Sequence, residues 1–210
     1  MIQDSKFLLS QAIKFHSKEN IKEALKYYES FISKGYKNSI VYTNYGAILK
    51  DLGKLNEAKL SFLKAIELNP KNANTYYNLG TILIDLNKLK EAETTTRKAI
   101  ELNPKLAIAH YNLATILLEL GKIKEVERSL IKSIEIDPDF VKAYYVISSL
   151  KKYYKDCKWI SYLFSEKIIE NKSLIELVDI YFARSNICHI EGDFSESSRY
   201  LKLANNIKLK

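Results

Sequence analysis

Asn44, Asn78 and Asn112 stand 34 residues apart, and each carries an amide that donates through its nitrogen and accepts through its oxygen. A row of amides at fixed spacing suits the backbone of an extended peptide, whose N–H and C=O groups recur whatever the side chains are. The chemistry expected of it is non-covalent recognition of main chain. One position earlier stand Thr43, Tyr77 and Tyr111, with Tyr145 a further period on. The tyrosines offer flat contact area with a polar tip at little entropic cost. Thr81 and Thr115, with Ser149, are small and leave room beside them. The competing role for the asparagines is structural, bonding within or between the segments that carry them.

Covalent chemistry has few candidates. His16, His110 and His189 fall in three different segments, and His110 takes a packing position held by Tyr76 and Tyr144 one period away on either side. Phosphate-cradling, nucleophile-elbow and paired-histidine metal motifs are absent. Cys157 and Cys188 have neither CxxC nor metal-ligand spacing and read as reduced thiols or small packing residues. Glu91, Glu93, Glu125 and Glu127 alternate with lysines as solvated helix surfaces do. The sequence predicts a binding protein without catalysis, cofactor or metal.

The elements that would position the ladder follow from the same period. Pro70, Pro104 and Pro138 close the segments LKAIELNP, RKAIELNP and IKSIEIDP at 34-residue intervals. In register with them lie the small residues Gly46, Gly80 and Ala114, the second small set Ala58, Ala92 and Val126, then Phe62, Thr96 and Leu130, then Ala65, Ala99 and Ser133. Small residues let two antiparallel helices approach, and large ones fill the space beside them. Apolar steps of three and four residues on both sides support the helices. Leu52-Gly53-Lys54, Leu86-Asn87-Lys88 and Leu120-Gly121-Lys122 supply the left-handed turn residue between them. Each proline forces the residue before it out of helical geometry and so separates one hairpin from the next.

This order resembles the tetratricopeptide repeat, W-x2-L-G-x2-Y…A-x3-F…P. The resemblance implies an all-α fold, a right-handed α-solenoid of stacked antiparallel helix pairs whose first helices line a concave groove. The expected organisation is one array over residues 1–210: a weak unit over 5–38, strong units over 39–72, 73–106 and 107–140, a degenerate unit over 141–174, and a capping hairpin over 175–210. In the weak unit Tyr36 replaces the proline; in the tail Gly192 falls on Gly53 and Ala204 on Ala65, at the cost of about three extra residues between 155 and 175. Similar asparagine ladders line the groove of the O-linked N-acetylglucosamine transferase array. The basic clamp of chaperone-binding arrays is not matched, because the corresponding places hold Ile40, Asn74, Ile108 and Lys142. The two ends also resemble the N-terminal arrays of bacterial tetratricopeptide proteins that continue into a sulfotransferase. That likeness implies either a stand-alone relative or the recruiting or oligomerising part of a transferase, whose phosphosulfate-binding loop would lie beyond Lys210.

The charge is unevenly placed. Residues 141–174 carry seven lysines against three carboxylates and residues 1–38 seven against four, whereas 107–140 hold four basic residues against six acidic ones. Lys151, Lys152, Lys155 and Lys158 interleave with Tyr153, Tyr154 and Trp159, a pattern that can track phosphates and stack on bases, or form a solvated face over a packed apolar one. Without an arginine cluster to read base edges, RNA is the less favoured partner. No run of about 18 apolar residues exists and the N-terminus lacks a basic leader, so the expected location is cytoplasmic and away from membranes. Exposed tyrosines on a groove could equally serve a homodimer.

Overall fold

The computed structural model describes residues 2–150 and 157–208, and every regular element among them is helical. The chain divides into two compact units, Met1–Pro104 and Lys105–Lys210, with the boundary directly after a repeat proline. The first unit stacks three hairpins: α1 (Ile2–Ser17) with α2 (Ile21–Ser33), α3 (Ser39–Asp51) with α4 (Leu55–Leu68), and α5 (Ala73–Asp85) with α6 (Leu89–Leu102). The second unit opens with α7 (Ala107–Glu119) and α8 (Ile123–Ile136), followed by α9 (Val141–Ser149), α10 (Lys158–Leu163), one 3-10 turn (Lys167–Ile169), α11 (Leu174–Glu191) and α12 (Phe194–Lys208). Both units are stacks of antiparallel helix pairs of the α-solenoid type expected from the repeat.

Each hairpin turns on one left-handed residue. Gly53, Asn87, Gly121 and Gly192 have φ of 73°, 55°, 71° and 84°. Around them the N–H of Lys54, Lys88, Lys122 and Asp193 donates to the carbonyl of Leu49, Leu83, Leu117 and Cys188 at 2.7–2.9 Å, which satisfies the open end of the first helix. The first hairpin makes the same turn with Glu19 at φ 57°, the Asn20 N–H reaching Phe15 O at 3.0 Å. At the other end of each repeat, Asn69, Asn103 and Asp137 leave helical geometry with φ of −145°, −140° and −132° ahead of their prolines. Asn38 and Asn72 then cap α3 and α5 by accepting from backbone N–H groups.

Inside a hairpin the small position of the first helix meets the large position of the second. A Cβ on Gly46 would come within 3.0 Å of the Phe62 ring, and one on Gly80 within 2.5 Å of Thr96 Oγ1. In the first hairpin the large place is Tyr28, fully buried with Ala12 and Ala24. Tyr36, standing where later repeats have proline, instead donates its hydroxyl to Asp4 at 2.9 Å beside the 2.7 Å Lys34–Asp4 ion pair, tying the start of α1 to the end of α2.

The second unit departs from the repeat after α9. The stretch 141–174 ends in the six residues of α10 and a 3-10 turn, and α11 packs directly against both α9 and α12. A reciprocal capping box between Ser173 and Glu176 starts α11. With Gly192 on Gly53, Ser185 and Ser197 fall on Gly46 and Ala58. Their hydroxyls each donate to the other's carbonyl, at 2.9 and 3.0 Å, so a close apolar approach becomes a hydrogen-bonded one. Arg184 falls on Tyr45, the place that Leu79 and Leu113 take in the next two hairpins. It is 6 % exposed and donates to Leu163 O and Ser165 O, both at 2.8 Å, with its guanidinium 5.5–6.0 Å from the ring centres of Phe164, Tyr181 and Tyr200.

No atom lies within 4 Å of a Cβ built on Gly53, so Gly53→Ala lowers stability by the backbone cost alone, about 1 kcal/mol, and Glu19→Gly raises it by about 0.5–1 kcal/mol. Equal urea midpoints for Glu19→Gly and wild type would contradict this. Thr96 Oγ1 is buried without a hydrogen-bond partner among the described residues, so Thr96→Val, which keeps the volume, raises the unfolding free energy by about 1 kcal/mol in the same assay.

Candidate peptide-binding face

The ladder residues sit on the first helices of their hairpins, and nearly all are half-buried: Thr43 and Asn44 on α3, Tyr77, Asn78 and Thr81 on α5, Tyr111, Asn112 and Thr115 on α7. Tyr145 on α9 is 42 % exposed. Several carry internal bonds. Thr43 Oγ1 donates to Ser39 O at 2.9 Å and lies 3.1 Å from the buried Thr75 Oγ1, which joins α3 to α5. Thr81 and Thr115 donate back to the carbonyls of Tyr77 and Tyr111 at 3.2 Å, so both hydroxyl protons are spent within their own helices.

Asn44 serves two environments. Its Nδ2 donates to Tyr28 Oη at 3.1 Å, and that oxygen also lies 3.2 Å from His16 Nδ1, so the phenol is held between the amide and the imidazole. Burial raises the Tyr28 pKa, and the Asn44 bond acts in the opposite direction. The same asparagine lines an open hollow of about 370 Å3 with Ile13, His16 and Ser17. The amide is thus committed on its nitrogen to a core hydroxyl while the residue also faces the hollow.

On the second unit the face gains members that the sequence reading missed. Carrying the Gly192-on-Gly53 register back along α11 puts Phe182 on Thr43 and Asp179 on Ile40. Phe182 thus extends the line of Tyr111 and Tyr145. The Tyr145 and Phe182 ring centres are 6.3 Å apart at 57°, and Tyr111 packs edge-on against Phe140 at 5.1 Å. The Asp179 charge acts on Tyr111, whose pKa is raised mainly by burial. The signal for both is the tail register itself, which runs back into α11 as well as forward to Ala204.

The other candidates are placed as follows. His16 is bonded to Tyr28, and His189 packs edge-on against Phe194 at 5.3 Å. Glu91 pairs with Lys59 at 3.7 Å and Glu93 with Arg97 at 2.9 Å. Among the described residues no three His, Cys, Asp or Glu gather as metal ligands, and no helix is long and apolar enough to cross a membrane. Burial, with Asp193, Glu191 and Glu196 adding to it, pushes the Cys188 thiol up to about 11. Lys151, Lys152 and Lys155, like Tyr153 and Tyr154, lie outside the described residues. Lys158 is exposed, but Trp159 is only 7 % exposed, with its ring set against Tyr144 at 6.1 Å, so that indole is a core residue and not a stacking platform.

Models of the TPR repeat match residues 46–84, and of the tetratricopeptide repeat residues 73–106 and 95–128. No curated protein matches the chain. Similar solved structures include MamA (TM-score 0.65, 20 % identity, 100 % of this chain and 94 % of that one) and PilW, a widely conserved type IV pilus biogenesis factor (0.73, 20 %, 98 % and 94 %). YrrB, described as a TPR protein with an unusual peptide-binding site, aligns at 0.60 and 22 % over 91 % of this chain and 88 % of its own. The likeness of the two ends to sulfotransferase-linked arrays finds no support in these matches.

The Tyr28 contact separates the two roles of Asn44. Asn44→Ala lowers stability by about 1 kcal/mol when Tyr28 is present and by much less beside Tyr28→Phe, a double-mutant cycle readable by urea unfolding. Additive losses would mean that the amide does not serve the buried hydroxyl.

Proposed function

Because the chain is a tetratricopeptide-repeat protein, we propose that it is a protein-interaction module which binds an extended peptide segment along the first-helix faces of its hairpins and carries out no catalysis of its own. The observation that carries this reading is the run of half-exposed Tyr111, Tyr145 and Phe182 on successive first helices of the second unit, matched by Tyr77 and Asn78 in the first. Rings displayed in this way give contact area at low entropic cost, and amides beside them can bond a passing backbone. YrrB has a peptide-binding site on a similar fold, which agrees with the assignment. The cytoplasm is the compartment we assign to this activity.

The buried Trp159 argues against the alternative of RNA binding, since it removes the aromatic member of the basic stretch that is described. Salt distinguishes the two. A chain that neutralises several phosphates loses about 10³-fold or more in affinity between 50 and 200 mM salt, whereas a backbone-reading face changes little. We expect a panel of unstructured fluorescein-labelled peptides to bind with affinity nearly constant over that range. Tyr77→Ala combined with Asn78→Ala should weaken binding about tenfold at unchanged helicity. Unchanged peptide affinity in that variant, or binding only to RNA with a steep salt dependence, would refute the proposal.

A further inference from the structure

On the second unit, Tyr145, Ile175, Val178, Asp179, Phe182 and Lys208 line a hollow of about 240 Å3. Asp179 makes no hydrogen bond or ion pair among the described residues. Burial raises its pKa, while Lys142 and Lys208 lower it from a distance and Glu176 raises it. Two rings, Tyr145 and Phe182, wall the space beside it. A cation already stands in part of it: the Lys208 ammonium lies 4.6 Å from the Phe182 ring centre.

We infer that this hollow receives a lysine or arginine side chain from the segment bound on the first-helix face, with Asp179 as counter-ion and Tyr145 and Phe182 as walls, and that Lys208 covers the Phe182 ring until the guest displaces it. The inference rests on the peptide-binding reading above and gives it a specificity. A carboxylate partly withdrawn from water gains most from a cation brought to it, and an apolar guest would bury its charge without a partner. The ring faces favour an ammonium or guanidinium over an anion. Ile175, 75 % exposed at the mouth, suits the methylene stem of such a side chain. An acidic guest would find Lys208 in the hollow but would set its charge against Asp179, with Glu176 nearby adding to the repulsion.

The test uses the full chain and two labelled unstructured peptides of identical sequence, one with a central lysine and one with norleucine in its place, titrated by fluorescence anisotropy. The lysine peptide should bind about fivefold tighter. Asp179→Asn and Phe182→Leu should each bring that ratio close to one, and Lys208→Gln should tighten the lysine peptide severalfold while leaving the norleucine peptide unchanged. Circular dichroism and thermal melting establish that each variant is folded. Equal affinity of the two peptides for the unmodified chain overturns the cation pocket and leaves the peptide-binding reading standing. Binding of neither peptide removes that reading and the pocket with it. A weaker lysine-peptide complex in Lys208→Gln overturns the role of Lys208 as an internal competitor.

Discussion

Close approach of two helices at one small residue is the constraint on which the rest of the chain depends. Where Gly46 lets Phe62 lie at contact distance, no larger residue fits without moving the ring, and the following turn and proline can recur only if that spacing holds. The large place opposite is filled by Tyr28, Phe62, Thr96 and Leu130 in successive hairpins, all but fully buried. Phe62 and Leu130 fill it with apolar volume alone. Tyr28 brings in a hydroxyl and with it the need for His16 and Asn44 as partners, whereas Thr96 brings one that stays unbonded among the described residues. One geometric demand therefore yields three local chemistries. It also explains why an asparagine on the outward side of α3 reaches into the core of the hairpin before it.

The periodic part of the fold was legible in the sequence because its signals are local. Gly53, Asn87 and Gly121 mark turns that close within six residues, and Asn69, Asn103 and Asp137 leave the helix next to their own prolines. The region after α9 was not legible in the same way. Its second helix is replaced by the short α10 and a 3-10 turn, and the long α11 packs on both α9 and α12, an arrangement set by contacts between distant residues such as Arg184 with Leu163. The residue type alone would put an arginine at the surface. Here it occupies the place of a leucine, satisfied by two carbonyls that no motif announces.

The candidate site was legible as a line of positions but not in its content. Asn44 and Thr43 proved to be tied internally, Trp159 turned inward, and Phe182 and Asp179 were hidden by the insertion that shifts the register. Spacing along one helix identifies residues that share a face. Whether a polar atom there is committed inward depends on the neighbouring hairpin, as the reach of Asn44 to Tyr28 illustrates.

The way Arg184 is held has a consequence for acid. Its acceptors are main-chain carbonyls and its other neighbours are ring faces, none of which gains a proton as the pH falls, so the junction of α10, α11 and α12 keeps its bonds there. The clasp at the other end of the chain differs. Asp4 is held below the usual carboxylate range first by its bond from Lys34 and then by that from Tyr36. A lowered folded pKa means that the stabilisation is present above the ordinary value of 3.8 and disappears as the pH drops through the lowered one. Acidification therefore releases the Asp4 clasp of the first hairpin, and with it the Glu176 half of the cap on α11, whose carboxyl is held low by Ser173, while the Arg184 bonds persist.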